Sequence, residues 1–374
     1  MADNGLLSRI ERSERVALGM ATEYVVQAAR EIAADTGRPV ILIASRRQVD
    51  SPEAGGGYVG WSTQEWCARV VRDQADGLLL LARDHAGPYQ HPRDLAEPTN
   101  PETAMAFAIE SLRCDIESGL DLLHIDTSLG PDGAAETTDV AVERAAELVG
   151  TCVEMANAID RRVAFEVGIE VQSTAIADPG EYADQVKTIL GAVASRCGVA
   201  PAFLVAQTGT KVVGRRNTGV VQRHPVSTDD RERLRDLGAL IRSLGSRLKA
   251  HNCDYLAGHG IRALRTADAW MNVSPEIGVA QTLAVVRAAR AAKLDAPLGD
   301  FCAAAINAGY WRRWADGEAV SDREKVALGG SYLFSTPVFA ELRDEMDHVL
   351  RRSNRSVGQI LVDEVKAVAF RYIS

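Results

Sequence analysis

Short, almost wholly apolar runs alternate along this chain with longer stretches whose apolar residues recur every three or four positions. The first pattern predicts strands buried on both faces, and the second predicts amphipathic helices. Eight runs read as strands: 15–20, 39–44, 78–83, 122–126, 163–168, 202–207, 247–251 and 269–273. Helix start signals fall between them. Ser62-Thr63 precedes QEWCARVV, Asn100-Pro101 precedes ETAMAFAIESL, Asp178-Pro179 precedes GEYADQV, and Ser227-Thr228 precedes DDRERLRDL. Each supplies a capping oxygen, a proline at the first helical position, or acids that suit the helix dipole. Eight consecutive βα units predict a (β/α)8 TIM barrel over residues 1–296. From residue 297 the strand signal stops, and FCAAAINAGYWRRW, STPVFAELRDEMDHVLRRS and SVGQILVDEVKAVAFRYI predict a helical C-terminal extension, 297–374, packed on the barrel.

A barrel collects its chemistry at the carboxyl ends of its strands. The third run, LLLLARDHAGP, ends in adjacent Asp84 and His85 before a Gly-Pro turn. LLHIDTS supplies His124 and Asp126, which share a face because strand side chains alternate, with Asp126 nearer the mouth. FEVGIEV supplies Glu166 and Glu170, the sixth strand ends at Gln207 with Lys211 beyond, and LKAHNCDY supplies His251 and Asn252 with Asp254 behind. Imidazoles and carboxylates around an open position suit Zn²⁺, or Mn²⁺ or Co²⁺, as a Lewis acid beside a proton-transfer carboxylate. Glu166 reads as a carboxylate supporting a ligand or paired with a buried base. The loop AGGGYVG, 54–60, lets backbone approach a neighbour closely, and GRRNTG places Arg215 and Arg216 on the sixth loop, where they could clamp an anion.

Composition narrows the classes. The formal net charge is -9, which argues against nucleic-acid or anionic-membrane partners. The six cysteines show no CxxC pair, so a disulfide framework or zinc knot is not expected. No signal-peptide pattern and no 18-residue apolar run occurs, so a cytoplasmic protein is expected. A sugar kinase is disfavoured because no GxxxxGK[ST] is present.

QVDSPEAGGGYVG, LLARDHAGP, LHIDTS, GIEV, AHNCDY and the later YWRRW and SDREK together resemble the tagatose-bisphosphate aldolase accessory subunit family. That family is similar to the class II ketose-bisphosphate aldolases and to sugar epimerases. The resemblance implies Asp84 as proton-transfer carboxylate, with Asp126 assisting, and His85, Glu170 and His251 as metal ligands. It implies aldolase or epimerase chemistry on a ketose or ketose phosphate through an enediolate or retro-aldol step. The alternative it implies is a non-catalytic subunit stabilising a separate aldolase partner. A homo-oligomer is expected. Two departures bear on substrate. Glu276, in NVSPEIG where barrels commonly seat a phosphate, would repel one, so the terminal group is uncharged, amino-bearing, or held by Arg215, Arg323 or Lys325. Arg83 precedes Asp84 and is expected to lower its pKa. Gln207, Asn252, Arg215, Arg323 and Glu276 complete the expected substrate contacts.

Overall fold

A computed structural model describes residues 4–71, 77–96, 99–169, 173–315, 317, 319–351 and 354–373. All eight expected strands form and close into one parallel barrel. They are β1 (Val16–Gly19), β2 (Val40–Ser45), β3 (Leu79–Ala86), β4 (Leu122–Asp126), β5 (Ala164–Gly168), β6 (Phe203–Val205), β9 (Arg247–Ala250) and β10 (Trp270–Val273). Between β6 and β9 the chain adds a small antiparallel hairpin, β7 (Val212–Val213) and β8 (Arg216–Asn217). The architecture is the (β/α)8 barrel, with a helical C-terminal region.

The connecting helices start where their caps predict. In α3 (Thr63–Val71), Ser62 and Glu65 form a reciprocal box, with Ser62 N donating to Glu65 Oε2 at 2.8 Å. In α5 (Pro101–Ser118), α7 (Pro179–Cys197) and α8 (Thr228–Ser243), Asn100, Asp178 and Ser227 each accept from first-turn amides. Such a cap contributes about 1 kcal/mol.

Strand parity divides the barrel into two cores. Outward residues such as Leu18, Leu42, Leu81, Leu123, Val167 and Leu248 pack under the helices. Inward residues at the strand starts, including Ile41, Leu80, Leu122, Phe203 and Trp270, form a second apolar cluster with Ile10. Ile10 lies on α1 (Asn4–Arg12), which thereby covers the amino-terminal end of the barrel. Farther along the same inward parity the residues become polar: Asp84, His124, Glu166, Lys249, His251 and Asn272. The pleat therefore turns a dry floor into a charged upper layer within two or three residues.

The chain beyond α10 (Pro275–Ala291) continues as α11 (Asp295–Ala308), the short α12 (Arg312–Ala315), α13 (Asp322–Gly329), α14 (Pro337–Leu350) and α15 (Val357–Ile373). Phe301, Phe334 and Phe339 form its core with Val285 of α10. Each buried ring contributes about 2 kcal/mol of transfer free energy. Tyr372 on α15 returns to the barrel, its hydroxyl 2.8 Å from both Cys253 O and Glu276 Oε2. No described helix is long and apolar enough to cross a membrane.

Candidate metal centre

On a regular strand, Asp84 and His85 would face opposite sides. Here β3 pairs with β4 as Arg83↔Leu123 and then Ala86↔Ile125, so two residues of β3 oppose the single His124. This is a β-bulge, and His85 takes φ 51°, in the left-handed region. The bulge brings both side chains into the mouth. It also sets His124 level with them. Gly87 completes the device: a Cβ there would lie 1.8 Å from Asp126 O, so only glycine lets β3 pass β4 this closely.

Three imidazoles converge as a result. Ring centroids of His85, His124 and His251 lie 5.0, 5.0 and 4.8 Å apart, and with Asp84 they offer donor atoms all within 4.8 Å of one another. Two rings are oriented by buried carboxylates. His85 Nδ1 is 2.5 Å from Asp126 Oδ2, leaving Nε2 as the free donor atom, 3.8 Å from Asp84 Oδ1. His251 Nε2 is 2.6 Å from Glu166 Oε1, leaving Nδ1, 4.0 Å from Asp84 Oδ1. Carboxylate-held imidazoles of this kind are how proteins fix the ring and tautomer of a metal ligand. The third ring, His124, accepts from His85 N at 3.1 Å, and its Nε2 is buried without a hydrogen-bond partner among the described residues. Its Nδ1 is 3.6 Å from Asp84 Oδ1, and four donor-bearing side chains this close, two of the imidazoles held by carboxylates, fit a site built around a cation.

Charge is arranged to match. Burial opposes ionisation of Asp84, yet the fields of His85, His251 and His124 outweigh it and hold the carboxyl far below its usual range. His85 is pushed up to about 9 against its burial, by Asp84 and Asp126. Burial lowers His251 against the opposing pull of Glu166. Glu166 is drawn down to about 2, against burial, first by Lys249. Lys249 is fully buried, 3.4 Å from Glu166 Oε2 and 4.7 Å from the Phe203 ring centroid.

The remaining expected residues divide between the mouth and other parts of the molecule. Glu170 lies outside the described residues. Gln207 and Asn252 line a cavity of about 330 Å³ that includes His85, His124, Asp126 and His251, a size within the range of small-molecule sites. Gln207 Oε1 accepts from Ser173 N at 2.8 Å. Arg215 pairs with Glu324 at 2.9 Å, and Arg323 is exposed on α13. Glu276 accepts from Tyr255 N at 2.6 Å and pairs with Arg371, which makes it an anchor for α15. Arg83 does not act on Asp84 as expected, because it alternates to the outer face and pairs with buried Asp115 at 2.5 Å. The glycine-rich loop approaches its own chain: a Cβ on Gly57 would meet the Gln48 backbone at 2.2 Å. Sequence reasoning placed His124 too deep, because an apolar run carries no sign of a bulge in its neighbour. It missed Arg47, Arg313 and Trp314, which line the mouth with His85 and His251.

Comparison with solved structures supports the fold. The crystal structure of a probable tagatose 6 phosphate kinase from Sinorhizobium meliloti 1021 superposes with a TM-score of 0.74 at 20% identity, covering 96% of this chain and 99% of that one. A fructose-bisphosphate aldolase from Campylobacter jejuni gives 0.54 at 13% identity, covering 99% and 93%. The fructuronate-tagaturonate epimerase UxaE from Cohnella laeviribosi gives 0.58 at 13% identity, covering 96% and 81%. No curated protein matches the chain. A family model matches residues 10–291, the whole barrel with its strand-end residues, and the chain belongs to that family, the D-tagatose-1,6-bisphosphate aldolase subunit GatZ/KbaZ-like proteins.

Proposed function

We propose that this protein is a divalent-metal-dependent enzyme of the aldolase or epimerase type, acting on a ketose or ketose phosphate. The observation that carries the reading is the triangle of His85, His124 and His251 around Asp84, two of its rings held by their own carboxylates. These three imidazoles would hold the metal, Zn²⁺ first, and Glu170, which the family resemblance implies as a ligand, would add a carboxylate. When bound, such a cation supplies Lewis-acid polarisation of a carbonyl. Asp84, held ionised by the surrounding imidazoles, would take the substrate proton once the carbonyl is polarised. Asn272 Nδ2 donates to its Oδ1 at 3.4 Å and fixes that oxygen. Asp126 keeps His85 in one tautomer, and Glu166, neutralised by Lys249, does the same for His251. Asn252 and Gln207 line the mouth where substrate hydroxyls would lie.

The test is a panel of ketoses and ketose phosphates, scored for both cleavage and epimer formation with metal-loaded protein. Asp84→Ala is expected to lower turnover by about 10²–10⁴-fold while metal content stays full. Unchanged turnover would remove Asp84 from the chemistry. The family's description as an aldolase subunit favours a second reading, a non-catalytic partner of a separate aldolase. Copurification with such a chain, no bound metal and no turnover across the panel would establish that reading instead.

A further inference from the structure

We infer that Arg47 and Arg313 form a clamp for the oxyanion, phosphate or carboxylate, at the charged end of the substrate. The inference rests on the reading of the mouth as the substrate site. Both residues line the cavities that also contain His85 and His251. Arg47 follows β2 in the barrel, whereas Arg313 sits on α12 in the C-terminal region, beyond the part of the chain that the family model matches.

Other arginines nearby have carboxylate partners. Arg46, one residue before Arg47, is fully buried between Asp50 and Asp94, each at 3.1 Å, and Arg215 is held by Glu324. Among the described residues, the guanidinium of Arg47 has neither an ion pair nor a hydrogen bond. That of Arg313 has only the Trp314 ring, 5.4 Å from its Cζ. Burial and the field of Arg313 together push half-buried Arg47 down to about 10, so the two cations repel each other across the mouth. Two unpaired forks at the edge of a cavity match an oxyanion, which would relieve that repulsion through bidentate hydrogen bonds.

The usual alternative seat is already filled. Amides at the start of α10, where a barrel commonly holds a phosphate, donate to Asp254 Oδ1 instead: Ser274 N at 2.8 Å and Glu276 N at 2.9 Å. Burial pushes the Asp254 carboxyl up to about 7 against those amides. The arginine pair thus offers an anionic substrate group a seat that the α10 amides do not.

Calorimetric titration of the full chain, metal-loaded and metal-free, tests the clamp with inorganic phosphate, glucuronate and the neutral hexose fructose. Wild type is expected to bind an anion more tightly than fructose, and Arg47→Gln and Arg313→Gln are each expected to weaken it about tenfold or more. Arg47→Lys, which keeps the charge without the fork, should fall between, and Arg312→Gln should match wild type. Preference for phosphate identifies a sugar phosphate as substrate class; preference for glucuronate identifies a uronate. No anion binding by wild type, or unchanged affinity in folded Arg47→Gln and Arg313→Gln, overturns the clamp. Metal content measured on the same samples separates the two proposals: arginine-dependent anion binding by a protein that holds no metal would sink the metal reading and leave the clamp standing.

Discussion

Asp126 and Glu166 each hold one nitrogen of a different imidazole, so neither carboxylate needs to touch substrate to matter. Asp126→Asn should weaken zinc binding about 10–100-fold in a chelator competition titration, because His85 loses the partner that fixes its ring. The same pair makes the metal-free protein pH-sensitive. His85 is raised in the folded state to about 9, above its ordinary value of 6.5, so its stabilising contribution is complete below about 6.5 and lost as pH rises through 9. The melting temperature of the metal-free chain should fall across that window, and Asp126→Asn should flatten the fall. Lys249→Met leaves Glu166 buried without its cation and should cost about 3 kcal/mol in denaturant unfolding. At this scale the strand-end positions of Asp84, His85 and His251 were legible in the chain, and the structure brings the three together at the mouth. Glu276 was read for its place at a helix start, whereas its partners Arg371 and Tyr372 lie on the last helix and leave no local mark.

The element that organises the site is β3. Its bulge puts adjacent Asp84 and His85 on one side and brings His124 level with them, and the glycine that follows lets two strands touch. Gly87→Ala should therefore cost about 2 kcal/mol by overpacking and should reduce metal affinity, read together by thermal unfolding and zinc titration. A stable variant with full affinity would show that the contact is relaxed without disturbing the site. Elements of this kind divide sharply in how legible they are. Strands buried on both faces announce themselves as continuous apolar runs, and helices capped by Asn100, Asp178 and Ser227 announce their starts. The bulge and the β7–β8 hairpin depend on contacts made only after the barrel closes, and no period in the chain encodes them.

The whole molecule is a barrel whose mouth is completed by its own C-terminal region. Arg313 and Trp314 reach the cavity from the tail, and α15 is secured to the barrel through Tyr372 and Arg371 on Glu276. Tyr372→Phe removes a buried hydroxyl that also accepts from Leu256 N, and should cost about 2 kcal/mol in a chemical melt. The helical tail was legible as amphipathic sequence, but its share in the mouth was not, since that depends on how it folds back. The proposed chemistry requires that the three imidazoles bind a divalent cation. Zinc per chain, measured by elemental mass spectrometry after loading and desalting, should be about one for wild type and should collapse in the folded His85→Ala/His251→Ala variant. A wild type that retains no zinc, or a double variant that retains as much as wild type, would contradict it.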